Sequence, residues 1–158
     1  MQPVEPFADI TQEAFHRYLN KTPHRLWFDD ARYDLYKSWI LDARRSEDHY
    51  RLSRNEEKTR SRVLQKFYLD EDERLCCRDD TGRELRVLRD WQLFNVASNT
   101  HRGIPHGGQE KTFNIIAEQY YGIIREEVRW LLKHCKVCIS EVIDVPTIED
   151  RNTNQIFL

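Results

Sequence analysis

Long apolar runs are missing from this chain: nowhere in its 158 residues do about 18 apolar residues follow one another, so no membrane-crossing helix is expected. Glycine and proline are scarce, five of each, and apolar residues make up 39% beside 33% charged. That balance describes a folded, helix-rich protein rather than a disordered one. Net charge is also nearly absent. The 25 Lys and Arg against 27 Asp and Glu leave −2, which removes any global attraction to nucleic acid and requires a local basic patch for it. The opening residues Met1-Gln2-Pro3-Val4-Glu5-Pro6 lack the basic and apolar stretches of a secretory signal, so an intracellular compartment is the expectation. Only four cysteines occur, and in a reducing compartment they argue for metal ligation or burial rather than disulfides.

Helical patterning dominates what remains. Thr11 is placed to cap a first helix carrying Phe15, Tyr18 and Leu19, and Asp29 or Asp30 a second carrying Tyr33, Tyr36, Ile40 and Ala43. The aromatic content of this region predicts a core of its own. Ser53-x-x-Glu56 fits a capping box at the head of a third, charged helix. The period then changes, and Phe67–Leu69, Arg74–Cys77 and Glu84–Leu88 read as three short antiparallel strands. A helix from Asp90 is expected to break at Ser98-Asn99-Thr100. Gln109 to Tyr121 reads as an amphipathic helix closed by Gly122, and Ile124 to His134 as a final one, with Ser140 to Leu158 a linker or frayed end.

Four residues of the last third carry the chemistry. His101 and His106, separated by four residues and set among Gly103, Pro105, Gly107 and Gly108, precede Cys135 and Cys138 in a Cys-x2-Cys pair. Two imidazoles and two thiolates are a tetrahedral zinc set. A redox pair is disfavoured because such cysteines open a helix, whereas these are expected to follow one; coincidental burial is the plain alternative. Cys76 and Cys77 are neighbours on a strand, facing opposite sides, and suit packing. His134 suits a helix end, and His16, His24 and His49 have no ligand-like neighbours. Arg125, Arg129, Lys133 and Lys136 recur at three- and four-residue spacing and would line one face of the last helix, either touching phosphates or forming a solvated face.

His101-x4-His106-Gly107, Lys111-Thr112, Tyr120-Tyr121, Val128 and Lys133-x-Cys135-Lys136-x-Cys138 together resemble the His2Cys2 zinc-binding domain of retroviral and long-terminal-repeat retrotransposon integrases. Residues from about Arg54 to Thr100 resemble the extension that precedes this domain in gypsy-type and foamy-virus integrases. The chain departs from the family where Gly122 and Ile123 stand in place of the usual Trp and Pro. The resemblance implies one structural zinc ion on His101, His106, Cys135 and Cys138. It also implies a non-catalytic chain, because nothing after Cys138 is long enough for the integrase catalytic core.

The expected architecture is therefore α+β and mostly helical, with a small antiparallel three-stranded sheet and a C-terminal helical zinc-binding domain. Residues 1–52 are read as an aromatic-rich helical region, 53–98 as the integrase-like extension, 99–139 as the zinc domain and 140–158 as a tail. The expected function is DNA binding in the nucleus, weak and mainly phosphate-directed through Arg125, Arg129, Lys133 and Lys136. The alternative is a protein-interaction or oligomerisation module of a domesticated integrase-derived protein. Neither a membrane nor a small-molecule substrate is an expected partner.

Overall fold

The computed structural model describes residues 6–45, 52–104 and 107–143, with side chains as far as Ile139. The chain order is α1 (Thr11–Lys21), α2 (Asp30–Arg45), α3 (Arg54–Lys66), β1 (Phe67–Leu69), β2 (Leu75–Arg78), β3 (Glu84–Val87), α4 (Asp90–Gly103), α5 (Gln109–Ala117), β4 (Tyr120–Tyr121), α6 (Arg125–Leu132) and α7 (Lys136–Ile143). Among the described residues no helix is long and apolar enough to cross a membrane.

Local chemistry accounts for most boundaries. Asp29 Oδ1 accepts the Arg32 N–H at the head of α2. Ser53 and Glu56 form the expected reciprocal capping box at the head of α3. Thr11 is not a cap: Ile10 holds that position without a side-chain bond, and Thr11 is the buried first residue of α1. The two hairpins reuse one device, an aspartate whose carboxylate accepts backbone N–H groups across the turn and meets an arginine four residues on, Asp70 with Arg74 and Asp79 with Arg83. The Thr81 hydroxyl, donating to Asp79 Oδ1 at 2.6 Å, and the backbone and Arg83 bonds hold the half-buried Asp79 carboxyl down at about 2.

The sheet has four strands in the order β1-β2-β3-β4, not three. The first two pairings are antiparallel, and β3 pairs parallel with β4, bringing Arg86 opposite Tyr120 and Val87 opposite Tyr121. The tyrosines thus leave the helical segment expected to contain them. Helix α5 ends at Ala117, Arg86 N–H donates to the Gln119 carbonyl, and Leu88 N–H to that of Tyr121. Gly122 then turns the chain at φ +119°, where an added Cβ would stand 3.1 Å from the Leu88 carbonyl oxygen. Aromatic side chains suit a strand, and a glycine at positive φ cannot prolong a helix.

Two apolar cores follow. Phe7, Phe15, Leu19, Leu93, Phe94, Ile116, Val128, Leu131 and Cys135 fill one, between α1, α4, α5 and α6. Phe28, Tyr33, Tyr36, Trp39, Val63, Phe67, Leu75, Cys77 and Leu85 fill the other, between α2, α3 and one sheet face. The aromatics of α1 and α2 therefore do not make a core of their own. Helix α1 packs on α4 and α6, far along the chain, whereas α2 packs on α3 and the sheet that follow it.

One part-buried polar contact joins segments 103 positions apart beside the first core. His24 Nδ1 accepts the Leu26 N–H, which leaves the proton on Nε2, 2.8 Å from Glu127 Oε1. The other Glu127 oxygen accepts the Ile124 N–H, closing the head of α6. Burial is the largest influence on this carboxyl and pushes it above its ordinary value.

Two expectations follow from these contacts. Gly122→Ala should destabilise the chain by about 1–3 kcal/mol, from positive φ and crowding against Leu88, as read by urea denaturation. For Glu127, the folded chain holds the proton more tightly than the unfolded one, so its contribution is complete below the ordinary carboxyl range and is lost as pH rises through the raised value. Glu127→Gln lacks that loss. Its stability relative to wild type should improve between about pH 4 and about pH 7, whatever constant cost the missing acceptor brings; urea midpoints at both values check the sign.

Candidate metal centre

Helix α4 does not break where its polar triplet suggested. Ser98 Oγ bonds back to the Asn95 carbonyl and Thr100 Oγ1 to that of Val96, so both hydroxyls are satisfied inside the helix. The buried stripe Leu93, Phe94, Ala97, Ser98 and His101 then continues through the last turn. His101 is accordingly a helix residue directed into the core, fully buried, rather than part of a glycine-rich loop.

The cysteines arrive from the other side. Helix α6 buries Val128 and Leu131, and a turn at Lys133 and His134 delivers Cys135 to full burial. Cys138 lies on α7, a helix running on to Ile143 where periodicity was expected to fade. The pair therefore opens a helix, which removes the stated ground against a redox pair. What favours a metal is the third donor. His101, Cys135 and Cys138 place their ligand atoms within 4.8 Å of one another, and Cys138 Sγ lies 3.3 Å from His101 Nε2. With Zn–N near 2.0 Å and Zn–S near 2.3 Å, a tetrahedral edge between such donors is about 3.6 Å. The donor set and its spacing fit a metal ion, and the head of α7 favours negative charge on metal-bound sulfur. His106, expected as the fourth ligand, lies outside the described residues, as does Pro105.

Among the described residues, the other sulfur and imidazole groups lie apart from this cluster. Cys77 is buried in the second core, and Cys76 faces the opposite side of the sheet, with burial raising both thiols, that of Cys77 to about 11. His134 is exposed, stacked 3.9 Å from the Trp130 ring, with Nδ1 2.7 Å from the Trp130 carbonyl oxygen. His24 proves to be a core contact through Glu127, which no local spacing announces. His49 lies outside the described residues.

The basic residues are not one helical face. Arg125 and Arg129 stand one turn apart on α6, whereas Lys133 follows its end and Lys136 begins α7. Arg125 Nε lies 3.3 Å from both carboxylate oxygens of Glu110, and its guanidinium sits 4.5 Å from the Phe113 ring centre. Arg129 Nε donates to Gln109 Oε1 at 3.1 Å. All four side chains are exposed.

Replacing Cys135 by Ser should bring bound zinc down to background, as read by metal analysis of purified protein. Because α1 shares the core of Cys135, hydrogen-exchange protection should fall in α1 as well as in α4 and α6, while α2, α3 and the sheet retain theirs. Compared with known protein families, curated proteins and solved structures, the chain matches none.

Proposed function

We propose that this chain is a non-catalytic, zinc-stapled recognition module of the integrase type that acts in weak DNA binding in the nucleus. The observation that carries the reading is the convergence of His101, Cys135 and Cys138 from opposite sides of one core. On the integrase resemblance His106 would be the fourth ligand, and with four protein ligands the metal's role would be structural. When bound, the ion cross-links α4 to the junction of α6 and α7; structural zinc in small fingers supplies apparent binding energy of about 10–16 kcal/mol.

The departure from the integrase pattern has a local reason. Gly122 occupies a position that needs positive φ and close approach to the Leu88 and Leu26 carbonyls, where a tryptophan would be strained. Ile123 beside it is buried in the first core.

DNA would meet the exposed Arg125, Arg129, Lys133 and Lys136, of which Glu110 and Gln109 already hold the first two. That engagement supports weak, phosphate-directed contact. It also favours the second reading, a protein-interaction module, although Trp130 does not offer an open apolar face: it stacks on Tyr18 at 5.3 Å and on His134.

A salt titration with a short labelled duplex separates the two. Binding should be micromolar or weaker, with the logarithm of affinity falling by about 0.9 per phosphate contact against the logarithm of salt. Lys133→Ala and Lys136→Ala should each reduce that slope by about one contact. Salt-independent nanomolar binding, or no binding at low salt, would overturn the DNA reading.

A further inference from the structure

The segment before α1 reaches the surroundings of the metal cluster. Pro6 and Phe7 are both buried. Lys136 N–H donates to the Pro6 carbonyl at 2.8 Å. That amide opens α7, where first-turn N–H groups have no acceptor within their own helix, and Cys138 lies in the same turn. The Phe7 ring meets Phe94 edge-on at 5.9 Å and lies 6.2 Å from the His101 imidazole, within the core that contains Cys135. Helix α1 anchors this segment from behind, since Phe15 and Tyr18 pack on Trp130 of α6 at 5.5 and 5.3 Å.

We infer that Pro6 and Phe7 form a strap over the metal centre, which positions the head of α7 and keeps competing ligands from the buried His101 and Cys135. The inference rests on the metal reading above and deepens it: the strap sets how fast the ion leaves. Loss of an ion held by buried donors needs an entering ligand, and the buried Phe7 ring beside His101 would hinder the approach of water and chelator. The hydrophobic shell around a metal controls solvent access, and loss of the outer-shell partners that orient its ligands commonly costs roughly 10–100-fold in metal affinity. The carbonyl of Pro6 acts on the other side of the site, through the helix that carries Cys138. The N-terminal segment thereby has a role in the last third of the chain.

The test is the rate at which zinc-loaded full-length protein gives up its ion to a chromogenic chelator, for wild type, Phe7→Leu, Phe7→Val and Phe7→Ala. Release should accelerate in that order, reaching roughly tenfold or more for alanine. Val63→Ala, which opens the second core, should lower stability in urea yet release zinc at the wild-type rate. Should the alanine variant not fold, the order of wild type, leucine and valine decides the same question. Cobalt(II)-substituted variants should keep the wild-type sulfur-to-cobalt absorption, showing an intact ligand set. Wild-type release rates in the Phe7 variants, equal acceleration by Val63→Ala, or an altered cobalt spectrum would each overturn the strap. A wild-type protein that takes up no zinc would overturn the metal reading itself, and the strap with it.

Discussion

The last turn of α4 and the junction of α6 with α7 meet at three side chains, and the first core is arranged around that meeting. A buried imidazole needs hydrogen-bond or metal partners, so the approach of His101 to the two thiols constrains the elements that deliver them. His101 reaches the site because Ser98 and Thr100 fold their hydroxyls back onto the helix and let α4 run to Gly103. Cys135 reaches it because Val128 and Leu131 bury the inner face of α6, and Cys138 because α7 begins at once. A bound ion would hold these pieces more firmly than packing alone.

The second core depends on the first through a short piece of strand. Tyr120 and Tyr121 are neighbours with side chains on opposite faces, and they pack respectively against the first and the second core. Their parallel pairing with β3 returns the chain to the sheet after two helices, and Gly122 redirects it toward α6. Helices α1 and α2, adjacent in sequence, are divided between the two cores by the loop that contains His24, Trp27 and Phe28. His24 bonds to Glu127 on one side, and Phe28 packs against Tyr36 and Phe67 on the other. This loop is a seam rather than a linker.

Surface charge obeys the same economy of contacts. The chain carries almost equal numbers of opposite charges, and the arginines of α6 find partners on α5 before any ligand arrives. A polyanion meeting such a surface would have to displace or share those contacts.

The capping box at Ser53 and the three hairpin strands were legible in the sequence, because each rests on neighbours within a few positions. The Cys-x2-Cys pair and His101 were legible as candidate donors for the same reason. Their geometry was not. Local rules ended α4 at its polar triplet and made the tyrosine pair helical, since nothing nearby reports that a hydroxyl will bond back or that β3 waits for a fourth strand. Nor could spacing join Phe7 to His101, Pro6 to Lys136 or His24 to Glu127, contacts that exist only when segments far apart in sequence pack together. The sequence by itself determined which residues could ligate and where most elements begin. Tertiary packing alone decided that three of those donors share one buried space, because distance between side chains far apart in sequence is set by how apolar faces match and not by local propensity.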